Sequence, residues 1–219
     1  MATTHTKTKT TNGKVQPSVL SRITHPDKMR PSKPRPVRWS YKQYQKMTAL
    51  GWFDHMRVEL IGGEVIEMAA MHEPHWVAGV LVEEVMRGVF GSGFIVVVQK
   101  PLHLPADSAP EPDVAIVRGA IRDFTEDLPT TADLIIEISY STLHYDRTDK
   151  SSLYASAGIE DYWIVNLKAR QLEIYRTPIE SKKAKFGWDY KDKINYKKED
   201  TISPLAAPKA KIKVADLLP

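Results

Sequence analysis

From residue 39 onward, apolar and polar positions follow short regular patterns whose period changes several times. Ser40 precedes Tyr41, Tyr44 and Met47 at helical spacing, with Gly51 beyond them, which predicts a capped helix. Arg57-Val58-Glu59-Leu60-Ile61 and Glu64-Val65-Ile66-Glu67-Met68 alternate on either side of Gly62-Gly63, the pattern of a β-hairpin. Pro74 suits the first turn of the next helix. The apolar positions of that helix (Val77, Val80, Leu81, Val85, Met86, Val89) keep a helical period until Gly91-Ser92-Gly93. Trp76 and Val80 lie on this stripe and are expected in the core. Residues 94–98 form a β-branched apolar run, read as a buried strand, and residues 101–104 continue as a shorter piece.

A loop rich in proline (Pro105, Pro110, Pro112) then leads into Val114-Ala115-Ile116-Val117, a further strand. Leu134-Ile135-Ile136-Glu137-Ile138 reads as a strand that is apolar on both faces except for one acid. Residues 146–157 have helical character and Gly158 suits the C′ position. Tyr162-Trp163-Ile164-Val165 and Leu172-Glu173-Ile174-Tyr175 predict a second hairpin, with Tyr162 and Trp163 in the core. The remainder is basic, with one strand expected near Ile212 and Val214. Strands and helices interleaved in this way predict an α/β domain, one central sheet with helices on its faces and additional hairpins.

Composition changes this picture at the ends. The chain has 219 residues and a net charge of +4, with a pI near 9.1. Residues 1–38 carry nine Lys/Arg against one acid, or +8; residues 39–181 carry 12 against 21, or −9; residues 182–219 carry ten against five, or +5. The first segment is rich in Thr, Lys and Pro and has no apolar period, so it reads as a flexible basic arm, with the folded domain at 39–219. Arg30, Lys33 and Arg35 in the arm, and Lys182, Lys183 and Lys185 near the other end, are candidate phosphate contacts. There are 0 cysteines, which excludes disulfides, thiolate metal sites and a cysteine nucleophile. No stretch approaches the ~18 unbroken apolar residues of a membrane span and no secretory signal is evident, so a soluble, cytoplasmic protein is expected.

Several catalytic motifs are missing: there is no P-loop, no G-x-S-x-G and no H-E-x-x-H. What remains is a set of acids in apolar strands. Glu137, between Ile136 and Ile138, loses hydration and needs a metal, a cation or a hydrogen-bond donor. Asp113 follows Pro112 at the start of another core strand, and the proline stiffens its approach. Two such carboxylates side by side repel unless a cation lies between them, and oxygen ligands beside phosphate suit Mg²⁺. Asp146, Lys150 and Tyr154 are spaced i, i+4, i+8 and share one helix face after the Glu137 strand. Lys150 could hold a phosphate or orient water, or simply pair with Asp146, which is itself placed to cap the helix. His75 and Gln99 are candidates for lining the same cleft.

Pro112-Asp113 followed by Glu137-Ile138-Ser139 resembles the PD-(D/E)XK nuclease signature, with Ser139 where the lysine ordinarily stands and Lys150 on the next helix instead. Residues 39–217 as a whole resemble the Uma2 family of restriction-endonuclease-like proteins. The matching stretches are Val58 to Glu64, Pro110-Glu111-Pro112-Asp113-Val114, Ile136 to Ser139, Asp146-Arg147-Thr148-Asp149-Lys150, and Tyr154 to Val165. The resemblance implies a restriction-endonuclease-like core and metal-dependent phosphodiester cleavage. It implies catalytic roles for Glu59, Asp113, Glu137 and Lys150, with Mg²⁺ or Mn²⁺ held by Asp113, Glu137 and the backbone carbonyl of Ile138.

On this reading the protein is an endonuclease acting on DNA, with a homodimer one route to cutting both strands. The competing expectation is an inactive nuclease-fold module that binds nucleic acid or a protein. A two-carboxylate glycosidase also uses paired acids but explains neither Lys150 nor the basic ends. Deleting residues 1–38 is expected to weaken DNA binding and flatten its dependence on salt, measured by titration at several ionic strengths.

Overall fold

The computed structural model describes residues 33–71 and 73–219. Most of the predicted arm, Arg30 included, lies outside the described residues. The chain divides into Met1–Val37 and a compact unit, Arg38–Pro219, and the second unit contains every element that follows.

Ser40 does cap the first helix, α1 (Tyr41–Ala49): its hydroxyl accepts from the Gln43 amide while the Gln43 side chain reaches back to the Ser40 amide. The hairpin of β1 (Val58–Ile61) and β2 (Glu64–Glu67) turns through Gly62 and Gly63, with φ of 60° and 77°. Both values lie in the left-handed region that a Cβ disfavours. Helix α2 (Glu73–Val89) carries Pro74 in its first turn and buries Ala78, Val82 and Met86.

The central sheet has the order β3-β4-β5-β6-β7-β8. Its strands are β3 (Phe94–Val98), β4 (Val114–Arg118), β5 (Leu134–Ser139), β6 (Asp161–Asn166), β7 (Gln171–Glu180) and β8 (Trp188–Lys197). All neighbours are antiparallel except β5 and β6, which run parallel. A parallel pair needs a crossover, here the helical segment α3 (Leu143–Tyr145), a π turn (Asp146–Lys150) and α4 (Ser151–Ser156). A separate pair, β9 (Thr201–Ile202) with β10 (Ile212–Lys213), lies near the C-terminal end.

The sheet is the middle layer of a mixed α/β domain, in agreement with the predicted class. Leu134, Ile136, Ile138, Trp163 and Val165 face one core with α2 and the final 3₁₀ turn. Ile135, Tyr162, Ile164 and Tyr175 face a second core with Leu153, Tyr154 and Ala155 of α4. This period-2 division decides where the acids point. Glu137 shares the parity of Ile135 and so faces α4. Among the described residues, no helix is long and apolar enough to cross a membrane.

Four expectations need correction. Residues 188–197 form a ten-residue strand that extends the sheet, where the basic remainder was expected to hold a strand only near Ile212 and Val214; its outward positions are charged because it is an edge strand. Residues 101–104 form no strand, only a bridge between Leu104 and Ser108. Trp76 and Val80 are 66% and 38% exposed rather than core, because α2 packs through the face bearing Ala78, Val82 and Met86. Asp146 caps no helix N-terminus: it follows α3 as the first residue of the π turn, and its carboxylate accepts from the Thr142 hydroxyl at 2.7 Å.

Candidate active site

The register of β4 and β5 pairs Val114 with Ile136. Continued by one residue, it sets Asp113 opposite Glu137, so two carboxylates stand as cross-strand neighbours on one face. The ladder ends there. The Ile138 amide donates at 2.8 Å to Asp113 Oδ2 instead of to a strand partner. His75 Nε2, from the first turns of α2, lies 3.2 Å from the same oxygen. Gln99 Nε2 stands at 3.5 Å from Asp113 Oδ1. Gln99 adopts φ of 47°, strained for a residue with a side chain, and its amide is tied to the Pro112 and Asp113 carbonyls. Asp113 is thus fixed from three directions.

Glu137 is fixed on its other side. Lys150 Nζ donates to Glu137 Oε1 at 2.9 Å and to Glu59 Oε1 at 3.1 Å. The Tyr154 hydroxyl donates to Glu137 Oε1 at 2.6 Å. Lys150 and Glu59 are 2% and 1% exposed, so this is a fully desolvated charge network. Glu59 arrives from β1, which is joined to the approach of β4 through the Leu60–Ala109 bridge. Its second oxygen, Oε2, is buried without a partner among the described residues.

The π turn brings Lys150 inward. The Ser151 amide donates to the Asp146 carbonyl, an i→i+5 bond, and the Tyr162 hydroxyl donates to the same carbonyl at 3.0 Å. Such turns recur at functional sites because they re-aim one side chain within a helix. Arg147, on the outer side of the turn, forms a two-point contact with the buried Glu173 of β7, at 2.7 and 2.9 Å. Asn166 and Tyr175 also donate to Glu173. Burial raises the Glu173 carboxyl, but the Arg147 and Asn166 bonds outweigh it and hold the group below its usual range.

A depressed carboxylate stabilises the fold above its unfolded value of about 4.3 and loses that contribution as pH falls through the lower native value. Glu173→Gln is therefore expected to flatten the acid limb of the stability curve, read from urea unfolding between about pH 3 and 7.

Electrostatics divide the two cross-strand acids. Burial opposes ionisation of Asp113, yet the His75 bond and charge and the Ile138 amide hold it below the usual carboxylate range. Burial lifts Glu137 to about 8, with Lys150 pulling down and Asp113, Asp146 and Glu59 pushing up. Burial also works against the Lys150 ammonium, but Glu137, Glu59 and Asp146 more than offset it. Asp146 is raised, chiefly by burial. An excess of buried negative charge remains, which a cation would relieve.

These groups border a cavity of about 40 Å³ lined by Glu59, Asp113, Glu137, Ile138, Asp146 and Lys150, with His75 also on its wall. That is room for a small ion with a water or two. Among the described residues, no three His, Asp or Glu side chains form a ready metal cage. Two carboxylates and a carbonyl nevertheless suit Mg²⁺, which keeps several waters and takes few protein ligands. The donor set is all hard oxygen, and the unpartnered Glu59 Oε2 fits a site that completes its bonds with a hydrated ion.

The structure brings together Glu59, Asp113, Glu137, Lys150, Asp146, Tyr154, His75 and Gln99. Of the basic candidates, Lys33 and Arg35 are exposed. Lys182, Lys183 and Lys185 lie between β7 and β8, where Lys185 Nζ pairs with Asp149 Oδ2 at 2.5 Å, one residue from Lys150. Sequence reasoning missed Arg57, Glu111 and Thr142 on the cavity wall and the Arg147–Glu173 clamp. Arg57 had a signal: it stands two residues before Glu59 in an alternating strand, hence on the same face.

The Uma2 family model, described as "Putative restriction endonuclease", matches residues 41–215. A solved structure of a "putative nuclease belonging to DUF820" from Anabaena variabilis is similar in fold. Its TM-score is 0.62 at 13% identity, over 83% of this chain and 97% of that one. No curated protein matches.

Proposed function

The chain belongs to the Uma2 family, and from its site we propose a divalent-cation-dependent endonuclease that hydrolyses phosphodiester bonds in DNA. The observation that carries this reading is the convergence of three acids and one lysine from four separate segments into one buried cluster beside a water-sized cavity. Burying that many charges in the interior is costly, and packing alone gives no reason for it.

Asp113, Glu137 and the Ile138 carbonyl would hold Mg²⁺ or Mn²⁺. The ion supplies a more acidic water and neutralises charge developing at the phosphoryl oxygens. The protein's own groups do the rest. His75 and the Ile138 amide hold the Asp113 carboxylate ionised and oriented. Tyr154 and Lys150 fix the Glu137 carboxylate by one oxygen, leaving the other free of these donors. Lys150, held charged between Glu59 and Glu137, keeps a positive charge beside the reacting centre, and Glu59 positions it there.

One observation favours a second reading. Lys150 is satisfied by two internal carboxylates, as in a purely structural ion network, which suits an inactive module that binds nucleic acid or a protein. Supercoiled plasmid incubated with Mg²⁺ or Mn²⁺ separates the two. Nicked and linear products that vanish with chelator are expected of the nuclease. Intact plasmid that is retarded on a gel under every divalent ion would favour the module.

A further inference from the structure

The nuclease reading leaves open which group grips the phosphate. Lys150 is the obvious cation, but its ammonium is 2% exposed and already donates to Glu59 and Glu137. Reaching a phosphate would strip charge from one of two buried carboxylates. Five acids face or border the cavity: Glu59, Glu111, Asp113, Glu137 and Asp146. A phosphodiester entering this region meets net repulsion unless a second cation is available.

Arg57 is that cation. Its carbonyl accepts from the Met68 amide, which extends the β1–β2 ladder by one pair beyond Val58. The strand alternation therefore puts its side chain on the Glu59 face. It lines the same cavity as Asp113 and Glu137 and is half-buried. Its guanidinium forms no hydrogen bond or ion pair with the described residues, the backbone bond to Met68 being its one hydrogen bond among them. Its charge acts on Glu111, which burial and Glu59 push up and Arg57 pulls down. A guanidinium presents paired donors that match two phosphate oxygens, which a lysine cannot do.

We infer that Arg57 binds the scissile phosphate of the substrate, while Lys150 serves the carboxylates. This rests on the nuclease reading, and the test is arranged to separate the two. The probe is the p-nitrophenyl ester of thymidine 5′-phosphate, which contains a single phosphodiester and no flanking phosphates.

With Mn²⁺, Arg57→Ala is expected to lower kcat/KM on this ester about 10- to 100-fold, the range of a lost charge-assisted hydrogen bond. Arg57→Lys should recover part of the loss and Arg57→Gln almost none, with melting temperature and Mn²⁺ affinity unchanged in all three. On duplex DNA, the slope of log affinity against log salt should fall by about one for Arg57→Ala. Wild-type turnover with an unchanged Arg57→Ala variant would overturn the Arg57 assignment and leave the nuclease intact. If the wild type turns over nothing, dinucleotide binding is read by calorimetry. Affinity lost in Arg57→Ala would then support the phosphate contact while rejecting hydrolysis; no affinity in the wild type would overturn both.

Discussion

Asp113→Asn is expected to abolish plasmid cleavage to within about one part in 10³ while leaving the fold intact. The substitution keeps the shape and one carbonyl-type oxygen, so the Ile138 amide that donates to Asp113 Oδ2 at 2.8 Å still finds an acceptor. What it removes is the charge, and Asp113 is the acid whose surroundings hold it ionised below the usual range. A ligand that contributes several kcal/mol of charge stabilisation in the transition state is worth about 10³-fold in rate. Calorimetric titration with Mn²⁺ should show the affinity falling in parallel. Stability should change by no more than about 2 kcal/mol, since no cavity forms and, with the amide oxygen kept toward Ile138 and His75, only the long Gln99 contact at 3.5 Å loses its acceptor. Undiminished cleavage by Asp113→Asn would remove Asp113 from the site. Loss of cleavage together with a large fall in melting temperature would assign it to structure.

The acids were legible because each sits inside a strongly patterned element. Glu137 interrupts a run of β-branched residues, so its burial follows from the pattern alone, and Pro112 marks where the Asp113 strand begins. The facing of the two acids follows from register, which the residues themselves do not print; it takes the β4–β5 ladder to show that Val114 opposes Ile136. Lys150 was found by helical spacing, although the segment contains a π turn. The i, i+4, i+8 relation survived because Lys150 and Tyr154 both reach Glu137 across the junction of that turn with α4.

Other features were not legible, for three physical reasons. Strand β8 is an edge strand whose middle is solvent-exposed, so no apolar alternation marks it; pairing with β7 fixes it instead. Trp76 shows the opposite failure. A periodic apolar stripe predicts a buried face, but α2 buries the adjacent stripe of smaller residues and leaves Trp76 outside. The Arg147–Glu173 clamp joins positions on the π turn and β7, and nothing local at either residue announces the other.

Lys150→Met is expected to cost about 3–5 kcal/mol of stability, because it leaves Glu59 and Glu137 buried without their shared cation. For a domain of this size that corresponds to a fall of roughly 6–20 °C in melting temperature. The loss should depend on pH with a definite sign. Glu137 already sits near 8 with Lys150 pulling it down, and removing the lysine pushes it further up. A carboxyl whose native value is raised stabilises fully below its unfolded value, about 4.3, and loses that contribution as pH rises toward the native value. The variant should therefore approach wild-type stability near pH 5 and fall furthest behind above pH 8, read from urea midpoints across that range. Adding Glu59→Gln and Glu137→Gln should restore much of the stability at pH 8 but none of the cleavage. Neutral side chains satisfy the packing, and Tyr154 can still donate to the amide oxygen at position 137. Recovery of stability would show that the cost of Lys150→Met is that of two buried acids left without their shared cation. A pH-independent loss would instead mean that Lys150 contributes through the packing of its methylenes, and that the two acids find protons or water without it.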